Sequence, residues 1–335
     1  MNPDFWGGRR VFVTGASGLL GSALTETLLE NGAEVVVLVR DWAQGSRLLS
    51  TAMAARVNMV RGDLNDLQVL VRALNEYEVD SVFHLGAQTI VGASSRSPLS
   101  TFESNIRGTW NLLEAVRTCG FPVERVVVAS SDKAYGAHEQ LPYDETFPLR
   151  GQFPYDVSKS CSDLITLSYH HTYRLPVTIT RCGNLFGPGD LNFNRLIPGT
   201  IRSLLQGSAP VIRSDGKFER DYVYVRDAVA AYMALAERTH EEEIRGQAFN
   251  FGSGIPMNVI EVVDRIRRAM GRADLQPMIL NEASREIPRQ FLDSGKANRV
   301  LRWFPAYEFD QALEETIGWY RQVLPEVSGV SRDSK

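Results

Sequence analysis

Short apolar segments rich in valine alternate with longer segments of mixed polarity through the first half of the chain. The apolar segments have the length of strands that are buried on both faces, and the longer segments repeat apolar residues at helical spacing. The predicted strands are 11–14, 34–39, 58–61, 81–85, 125–130 and 177–181. The predicted helices are 22–31, 67–76, 102–119 and 156–174. This order predicts an α/β fold with a doubly wound parallel sheet.

The regular alternation stops after residue 183. Residues 184–190 contain two glycines and a proline, a composition that predicts a loop. Farther along, the pattern predicts two amphipathic helices and two strands. The helices are 195–206 and 258–270, and the strands are 221–225 and 248–251.

These patterns predict two domains and a tail. The larger domain carries the parallel sheet and consists of residues 1–183 and 222–251. The smaller domain is discontinuous, consists of residues 184–221 and 252–327, and packs over the carboxyl ends of the strands, where open α/β sheets bind ligands. The polar composition of residues 328–335 predicts a flexible tail.

Composition narrows the possible functions. The net charge is -4 and the isoelectric point is near 5.8. Proteins that bind nucleic acids are usually basic, so these values argue against a nucleic-acid partner. No apolar segment reaches the roughly 18 residues that span a bilayer, and the N-terminal residues lack a signal-peptide core. The three cysteines form no CxxC pair and the five histidines no HExxH motif, so we expect no metal site and a reducing cytoplasm.

Three glycines follow the first predicted strand at intervals of three residues: Gly15, Gly18 and Gly21. A strand, a glycine-rich turn and a helix together form a site for a dinucleotide pyrophosphate. The first glycine allows the tight turn, the second lets the backbone approach the phosphates, and the third lets the helix pack on the strand. The spacing is GxxGxxG rather than GxGxxG, so this motif alone is only suggestive.

A second motif, Tyr155-Asp-Val-Ser-Lys159, lies far downstream. Two residues four apart lie on the same face of a helix, as a proton-transfer pair beside a nicotinamide requires. A free tyrosine has a pKa of about 10 and is a poor base at neutral pH. We expect Lys159 and a positive nicotinamide ring to lower the pKa of Tyr155.

The two motifs together resemble the short-chain dehydrogenase/reductase superfamily over roughly residues 5–322, and later motifs resemble its extended branch, which modifies nucleotide sugars. The resemblance implies a Rossmann-like fold with NAD or NADP, tightly bound and recycled within each turnover. It implies a nucleotide-diphosphate sugar as substrate and a homodimer formed through helices 102–119 and 156–174. In this family Tyr155 would take the proton of the sugar C4 hydroxyl, and Ser131 would hydrogen-bond the same hydroxyl.

Most of the cofactor contacts that the resemblance implies directly follow the first four predicted strands. Tyr155 and Lys159, from the later motif, are also implied contacts. The contacts after the strands comprise Gly15, Ser17, Gly18, Leu19, Leu20 and Gly21, then Arg40, then Asp63 and Leu64, and finally Leu85 and Ala87. The second strand leaves the choice of cofactor open. NAD binders usually have an acidic residue at the position of Val39, whereas Arg40 suits a 2′-phosphate and Asp41 suits the ribose hydroxyls.

The resemblance also implies a set of substrate contacts. Asn184 matches a position that hydrogen-bonds the diphosphate, and Arg195 lies in a helix that covers the nucleotide. Arg220 and Arg289 match arginines that bind the diphosphate and nucleotide, since guanidinium groups suit phosphate oxygens. Gln88, after the fourth strand, completes the predicted set.

Asp132 and Lys133 favour a 4,6-dehydratase over a 4-epimerase. Removing water across C5 and C6 of the sugar requires a base and an acid, and these two neighbours of Ser131 could fill those roles. The sequences Ser130–Lys133, Phe5-Trp6 and Ala87-Gln88 resemble the CDP-glucose 4,6-dehydratases, whereas residues 218–225 follow the generic sugar-nucleotide pattern. The alternatives are a 4-epimerase and a non-catalytic dinucleotide-binding protein.

Overall fold

The computed structural model describes residues 4–42, 45–50, 52–282 and 286–324. The predicted tail at 328–335 lies outside the described residues. Within this part of the chain, no helix combines the length and the apolar character needed to cross a membrane.

The described residues form fourteen strands and twelve α-helices. The strands are β1 (Arg10–Thr14), β2 (Glu34–Val39), β3 (Asn58–Arg61), β4 (Ser81–His84), β5 (Arg125–Ala129), β6 (Val177–Cys182), β7 (Asn184–Phe186), β8 (Val211–Ile212), β9 (Glu219–Arg220), β10 (Tyr222–Tyr224), β11 (Ala248–Phe251), β12 (Met257–Asn258), β13 (Met278–Ile279) and β14 (Arg289–Gln290). The helices are α1 (Leu19–Glu30), α2 (Arg47–Ser50), α3 (Leu67–Glu76), α4 (Val91–Arg96), α5 (Pro98–Phe102), α6 (Gly108–Thr118), α7 (Pro154–Tyr173), α8 (Leu196–Leu205), α9 (Val225–Arg238), α10 (Val259–Ala269), α11 (Gly295–Leu301) and α12 (Phe309–Val323). Short 3₁₀ helices cover Ala52–Arg56 and Asp132–Tyr135, and a π-helical turn at Glu103–Arg107 joins α5 to α6.

The prediction of a doubly wound parallel sheet is confirmed. Seven strands pair in parallel in the order β11-β6-β5-β4-β1-β2-β3. The chain therefore winds outward from β1 in both directions, and a crevice opens between the carboxyl ends of β1 and β4, where the order reverses.

The sheet is buried on both faces because side chains alternate along each strand. Val11 and Val13 of β1 pack in one apolar cluster with α1 and α9, whereas Phe12 packs in the opposite cluster with α3 and α6. This two-sided burial explains why the strands have continuous apolar sequences.

The prediction of a loop over 184–190 is wrong for its first three residues. Residues 184–186 form β7, which pairs in parallel with β10 in a separate two-stranded sheet. The predicted strand 221–225 ends at Tyr224, and Val225 already begins α9. The partner of β7 is distant in sequence, so local composition carried no sign of this pairing. Predicted helix 102–119 is also interrupted at its start by the π-helical turn.

A buried ion pair joins the sheet to α7. Arg181 of β6 donates from Nε and Nη2 to the two carboxylate oxygens of Asp163, at 2.8 and 2.9 Å. Arg181 also donates from Nη1 to the hydroxyl of Tyr135, at 2.8 Å. Both charged side chains are buried, so each depends on the other for compensation.

We predict that Asp163→Ala lowers the free energy of unfolding by about 3–5 kcal/mol, because it leaves the Arg181 guanidinium buried without its counter-ion. Urea denaturation followed by circular dichroism measures this loss. Glu76→Ala removes an exposed ion pair with Arg72 and serves as the control, with an expected loss below about 1 kcal/mol. Equal losses in the two variants would contradict the structural role assigned to the buried pair.

Candidate active site

A cavity of about 910 Å³ lies over the carboxyl ends of the central strands. Its wall includes Gly15 after β1, Leu85 and Ala87 after β4, Ser131 after β5 and Asn184 after β6. The volume lies within the range of small-molecule and cofactor sites, and the position is the crevice expected of a doubly wound sheet.

The glycine-rich turn forms one end of the cavity and is shaped by close backbone contacts. Gly15 has φ of 71°, and a Cβ on Gly21 would lie 2.1 Å from the Gly15 carbonyl oxygen. A side chain at either position would require the backbone to move. Ser17, Leu19 and Leu20 also line the cavity.

The start of α1 fits a dinucleotide pyrophosphate. Its N-cap residue, Gly18, is extended and supplies no side-chain hydrogen bond to the helix. The amides of the first turn have no partner within the helix, and the positive end of the helix dipole lies beside them. Both features favour a bound anion at this end of the cavity.

The predicted adenosine contacts lie outside the cavity wall. Arg40, at the end of β2, is exposed and donates from Nε to Asp41 at 2.6 Å, with Asp63 at 3.9 Å. Val39 is buried and contributes no polar group here. Leu64 packs against Gly86 and Gly108, beneath the turn that follows β4. A guanidinium between two carboxylates is compatible with either NAD or NADP, so the choice stays open.

Tyr155, Lys159 and Ser131, the residues predicted to carry the chemistry, all line this cavity. The first turns of α7 place Tyr155 and Lys159 on the cavity wall, and both side chains are buried. Lys159 donates from Nζ to the carbonyl of Ala129 at 2.7 Å, and burial lowers the pKa of Lys159 to about 8. Burial acts in the opposite direction on Tyr155 and raises its pKa, although a hydrogen bond with Ser131 opposes this shift.

The chain by itself raises the pKa of Tyr155, so the lowering expected from Lys159 and a nicotinamide ring stays a prediction for the complex with the cofactor. Removing a phenolate from water costs more than the nearby positive charges of the protein recover. After burial, the largest effects on this pKa come from Arg195, which lowers it, and Asp132, which raises it. A further positive charge beside the phenol is needed to favour the phenolate, and a nicotinamide ring carries one.

Of the neighbours Asp132 and Lys133, only Lys133 reaches the surface of the cavity. Asp132 lies behind the cavity wall with 1% of its surface exposed, and its Oδ1 accepts from Ser131 Oγ at 2.8 Å and from Lys133 Nζ at 3.3 Å. Lys133 lines the cavity, and its Nζ also donates to Asn184 Oδ1 at 3.1 Å. The geometry makes Asp132 a residue that orients Ser131 and Lys133.

Sequence reasoning missed Asp156, a buried carboxyl group on the cavity wall. It lies in the first turn of α7, directly after Tyr155. Burial raises the pKa of Asp156 to about 6, while Lys133 opposes the shift and Asp132 adds to it. The only sign in the sequence is an acidic residue inside the Tyr155–Lys159 motif.

Three of the five predicted substrate contacts line the cavity: Asn184, Arg195 and Arg220. Arg195 is held by Asp190 at 2.9 Å and donates to Thr89 at 3.2 Å. Arg220 donates from Nη1 to the carbonyls of Glu219 and Pro288, which fixes its guanidinium against the wall.

The other two predicted contacts, Gln88 and Arg289, contribute nothing to the cavity wall. Gln88 accepts from the amide of Ile90 and shapes the turn after β4. Arg289 is exposed and paired with Glu219 at 2.6 Å. Arg213 and Glu286 line the cavity instead, and no motif in the sequence had singled them out.

Comparison with known proteins gives consistent matches over nearly the whole chain. Residues 12–316 match the family model of GDP-mannose 4,6-dehydratase. The CDP-glucose 4,6-dehydratase of Salmonella typhimurium is 29% identical over 341 residues, which cover 96% of this chain and 93% of that protein.

Solved structures extend the comparison. A dTDP-glucose 4,6-dehydratase from Streptomyces venezuelae, crystallised with NAD, is 30% identical with a TM-score of 0.85, covering 93% of this chain and 97% of that one. A UDP-glucose 4-epimerase from Thermotoga maritima, crystallised with UDP-glucose, is 26% identical with a TM-score of 0.86. That match covers 94% of this chain and 99% of the epimerase.

Two glycines of the glycine-rich turn should differ in their roles, one in the packing of α1 on β1 and the other in cofactor binding. Gly21→Ala should lower the melting temperature, because its Cβ has no room against Gly15 and Ala16. Gly18→Ala should leave the melting temperature almost unchanged, because its Cβ meets only an ordinary contact at 3.4 Å, yet it should weaken NAD binding by crowding the phosphates. Thermal unfolding and titration calorimetry measure the two effects. Unchanged NAD affinity in Gly18→Ala would contradict the assigned phosphate site.

Proposed function

The chain belongs to the GDP-mannose 4,6-dehydratase family, and from this premise we propose that it is a nucleotide-sugar 4,6-dehydratase. The observation that carries the proposal is the group of ionisable side chains around Tyr155. Lys133 and Asp156 line the cavity beside the tyrosine, and Asp132 holds Lys133 from behind. A 4-epimerase needs only one proton acceptor at C4, whereas removal of water needs two further proton-transfer groups.

Oxidation at C4 of the sugar would use Tyr155 and Ser131. Tyr155 takes the proton of the C4 hydroxyl, and Ser131 holds that hydroxyl in line with the phenol oxygen. The chemistry that a bound nicotinamide supplies is hydride transfer in both directions, from C4 of the sugar and back to C6. Lys159 is fixed on the Ala129 carbonyl and adds positive charge at the same end of the cavity.

We propose that three polar residues of the cavity wall hold the nucleotide diphosphate. Arg195 and Arg220 supply guanidinium groups that suit phosphate oxygens. The side-chain oxygen of Asn184 accepts from Lys133, which leaves its amide group to donate to the diphosphate. These residues belong to segment 184–221, and Glu286 and Gln290 of segment 252–327 also line the cavity, which supports assigning both segments to substrate binding.

CDP-glucose is the substrate that we propose within this class. The Ser-Ser-Asp-Lys sequence at 130–133 resembles the CDP-glucose enzymes, and a CDP-glucose 4,6-dehydratase is among the similar proteins. A dTDP-glucose enzyme matches to a similar degree, so dTDP-glucose belongs in every substrate panel.

A 4-epimerase is the second candidate. The structural match to a UDP-glucose 4-epimerase supports it, as does the Ser131–Tyr155–Lys159 set, which would also serve an epimerase. A panel of CDP-, dTDP-, UDP- and GDP-sugars, followed by mass spectrometry and proton NMR, separates the candidates. Loss of one water with a new C6 methyl signal supports the dehydratase, whereas unchanged mass with inverted C4 refutes it.

We predict that Tyr155→Phe lowers kcat by roughly 10²–10⁴-fold on any sugar nucleotide that the wild type accepts, because the C4 proton has lost its acceptor. Steady-state kinetics measures the loss. Thermal unfolding checks that the variant is folded. Wild-type turnover in this variant would refute the catalytic assignment.

Lys133→Met should separate the two candidate functions. In a dehydratase the reaction stops after C4 oxidation, because one of the two groups that transfer protons during water loss is missing. An epimerase keeps nearly its full rate. Rapid quenching followed by mass spectrometry identifies the 4-keto sugar that has retained its water, and full dehydratase activity in this variant would contradict the proposed role of Lys133.

We also propose a homodimer formed through α6 and α7. These helices expose the large side chains of Trp110, Leu164 and Tyr173, which a monomer would leave in water. Leu164→Arg should convert the dimer to a monomer at micromolar concentration, as measured by sedimentation. Phe304→Arg changes an equally exposed residue elsewhere and should remain dimeric. A monomeric wild type would contradict the proposal.

A further inference from the structure

Asp156 directly follows Tyr155 in the chain and belongs to the lining of the cavity. It contributes to the cavity wall, although only 4% of its surface is exposed, whereas Asp132 lies behind the wall. Burying a carboxylate is costly unless the charge is paired or hydrogen-bonded. The location therefore requires an explanation beyond the local fold.

A capping role accounts for only part of the side chain. The backbone amide of Phe153, the residue that precedes α7, favours the ionised form of the Asp156 carboxyl group. This contact stabilises the start of the helix. A carboxylate has about four acceptor positions, so the contact leaves acceptor capacity for a ligand in the cavity.

Lys133 has the hydrogen bonds of a proton donor. Its Nζ donates to Asp132 Oδ1 at 3.3 Å and to Asn184 Oδ1 at 3.1 Å. A carboxylate and an amide oxygen both accept, and an ammonium group has three N–H donors and no lone pair. Held in this way, Lys133 has one N–H left for the cavity and no site that could take up a proton.

We infer that Asp156 is the general base that removes the C5 proton of the sugar, and that Lys133 protonates the departing C6 hydroxyl. The inference rests on the proposed dehydratase function and assigns the two proton transfers of water loss to two different residues. Asp132 orients Lys133 and is a positioning residue.

The step balances within the site. Asp156 takes the C5 proton, the electrons of the C5–H bond form the C5–C6 double bond, and the C6–O bond breaks as its oxygen takes a proton from Lys133 and leaves as water. When hydride returns to C6, Asp156 gives its proton back to C5. Lys133 then recovers, through solvent, the proton that Tyr155 took from the C4 hydroxyl.

The electrostatics of the site support this role. Burial raises the pKa of Asp156 to about 6. Lys133, the Phe153 backbone and Arg220 lower this pKa, whereas Asp132 raises it further. A base is most effective when its pKa lies near the working pH. At neutral pH the group is mainly ionised and still more basic than a carboxylate in water.

Deuterium exchange at C5 tests the assignment directly. The reaction is run in deuterium oxide with CDP-glucose or dTDP-glucose, whichever the wild type dehydrates. Asp156→Asn keeps the size and one oxygen of the side chain but cannot act as the base. We expect it to oxidise C4, to lose roughly 10²–10⁴-fold in the rate of water loss, and to incorporate no deuterium at C5.

Lys133→Met is the complementary variant and should incorporate deuterium at C5 while water loss is blocked. Asp310→Asn makes the same chemical change in the first turn of α12, at an exposed position, and should match the wild type. Asp156→Ser repeats the test with a smaller group if thermal unfolding shows that the asparagine variant is unstable.

Wild-type exchange at C5 in the Asp156 variants, or loss of exchange in Lys133→Met, overturns the assignment. A wild type that dehydrates neither sugar nucleotide refutes the proposed function, and this inference with it. A wild type that dehydrates while Asp156→Asn retains C5 exchange refutes the inference alone.

Discussion

Burial of both faces of the parallel sheet determines where this protein can carry chemistry. Helices cover the two apolar faces, so polar groups from the strands reach a ligand only at the carboxyl ends. The reversal of strand order at β1 and β4 opens the crevice at that edge. The glycine-rich turn follows β1, Ser131 and Lys133 follow β5, and Asn184 follows β6, so the carboxyl ends of three central strands bring them to one cavity.

The same burial sets the electrostatics of the cavity. Removal from water raises the pKa of Tyr155 and Asp156 and lowers that of Lys159, so each group is less stable in its charged form than in solvent. The buried pair of Arg181 and Asp163 lies behind this cluster and fixes α7 against β6.

Local motifs predicted the parts of the site that local structure determines. The turn from Gly15 to Gly21 needs only a strand, a helix and backbone clearance, and one helix aligns Tyr155 with Lys159. The side-chain directions of Gln88 and Arg289 depended on partners that the sequence does not identify, the Ile90 amide and Glu219. The pairing of β7 with β10 and the position of Asp156 on the cavity wall likewise arise from contacts between distant segments.

The central claim is that hydride leaves C4 and returns to C6 of the same sugar as water is lost. The most direct measurement uses CDP-glucose or dTDP-glucose that carries deuterium at C4, followed by NMR and mass spectrometry of the product. The account predicts a 4-keto-6-deoxy sugar with the deuterium in its C6 methyl group. Deuterium retained at C4, or recovered in free reduced dinucleotide, would contradict it.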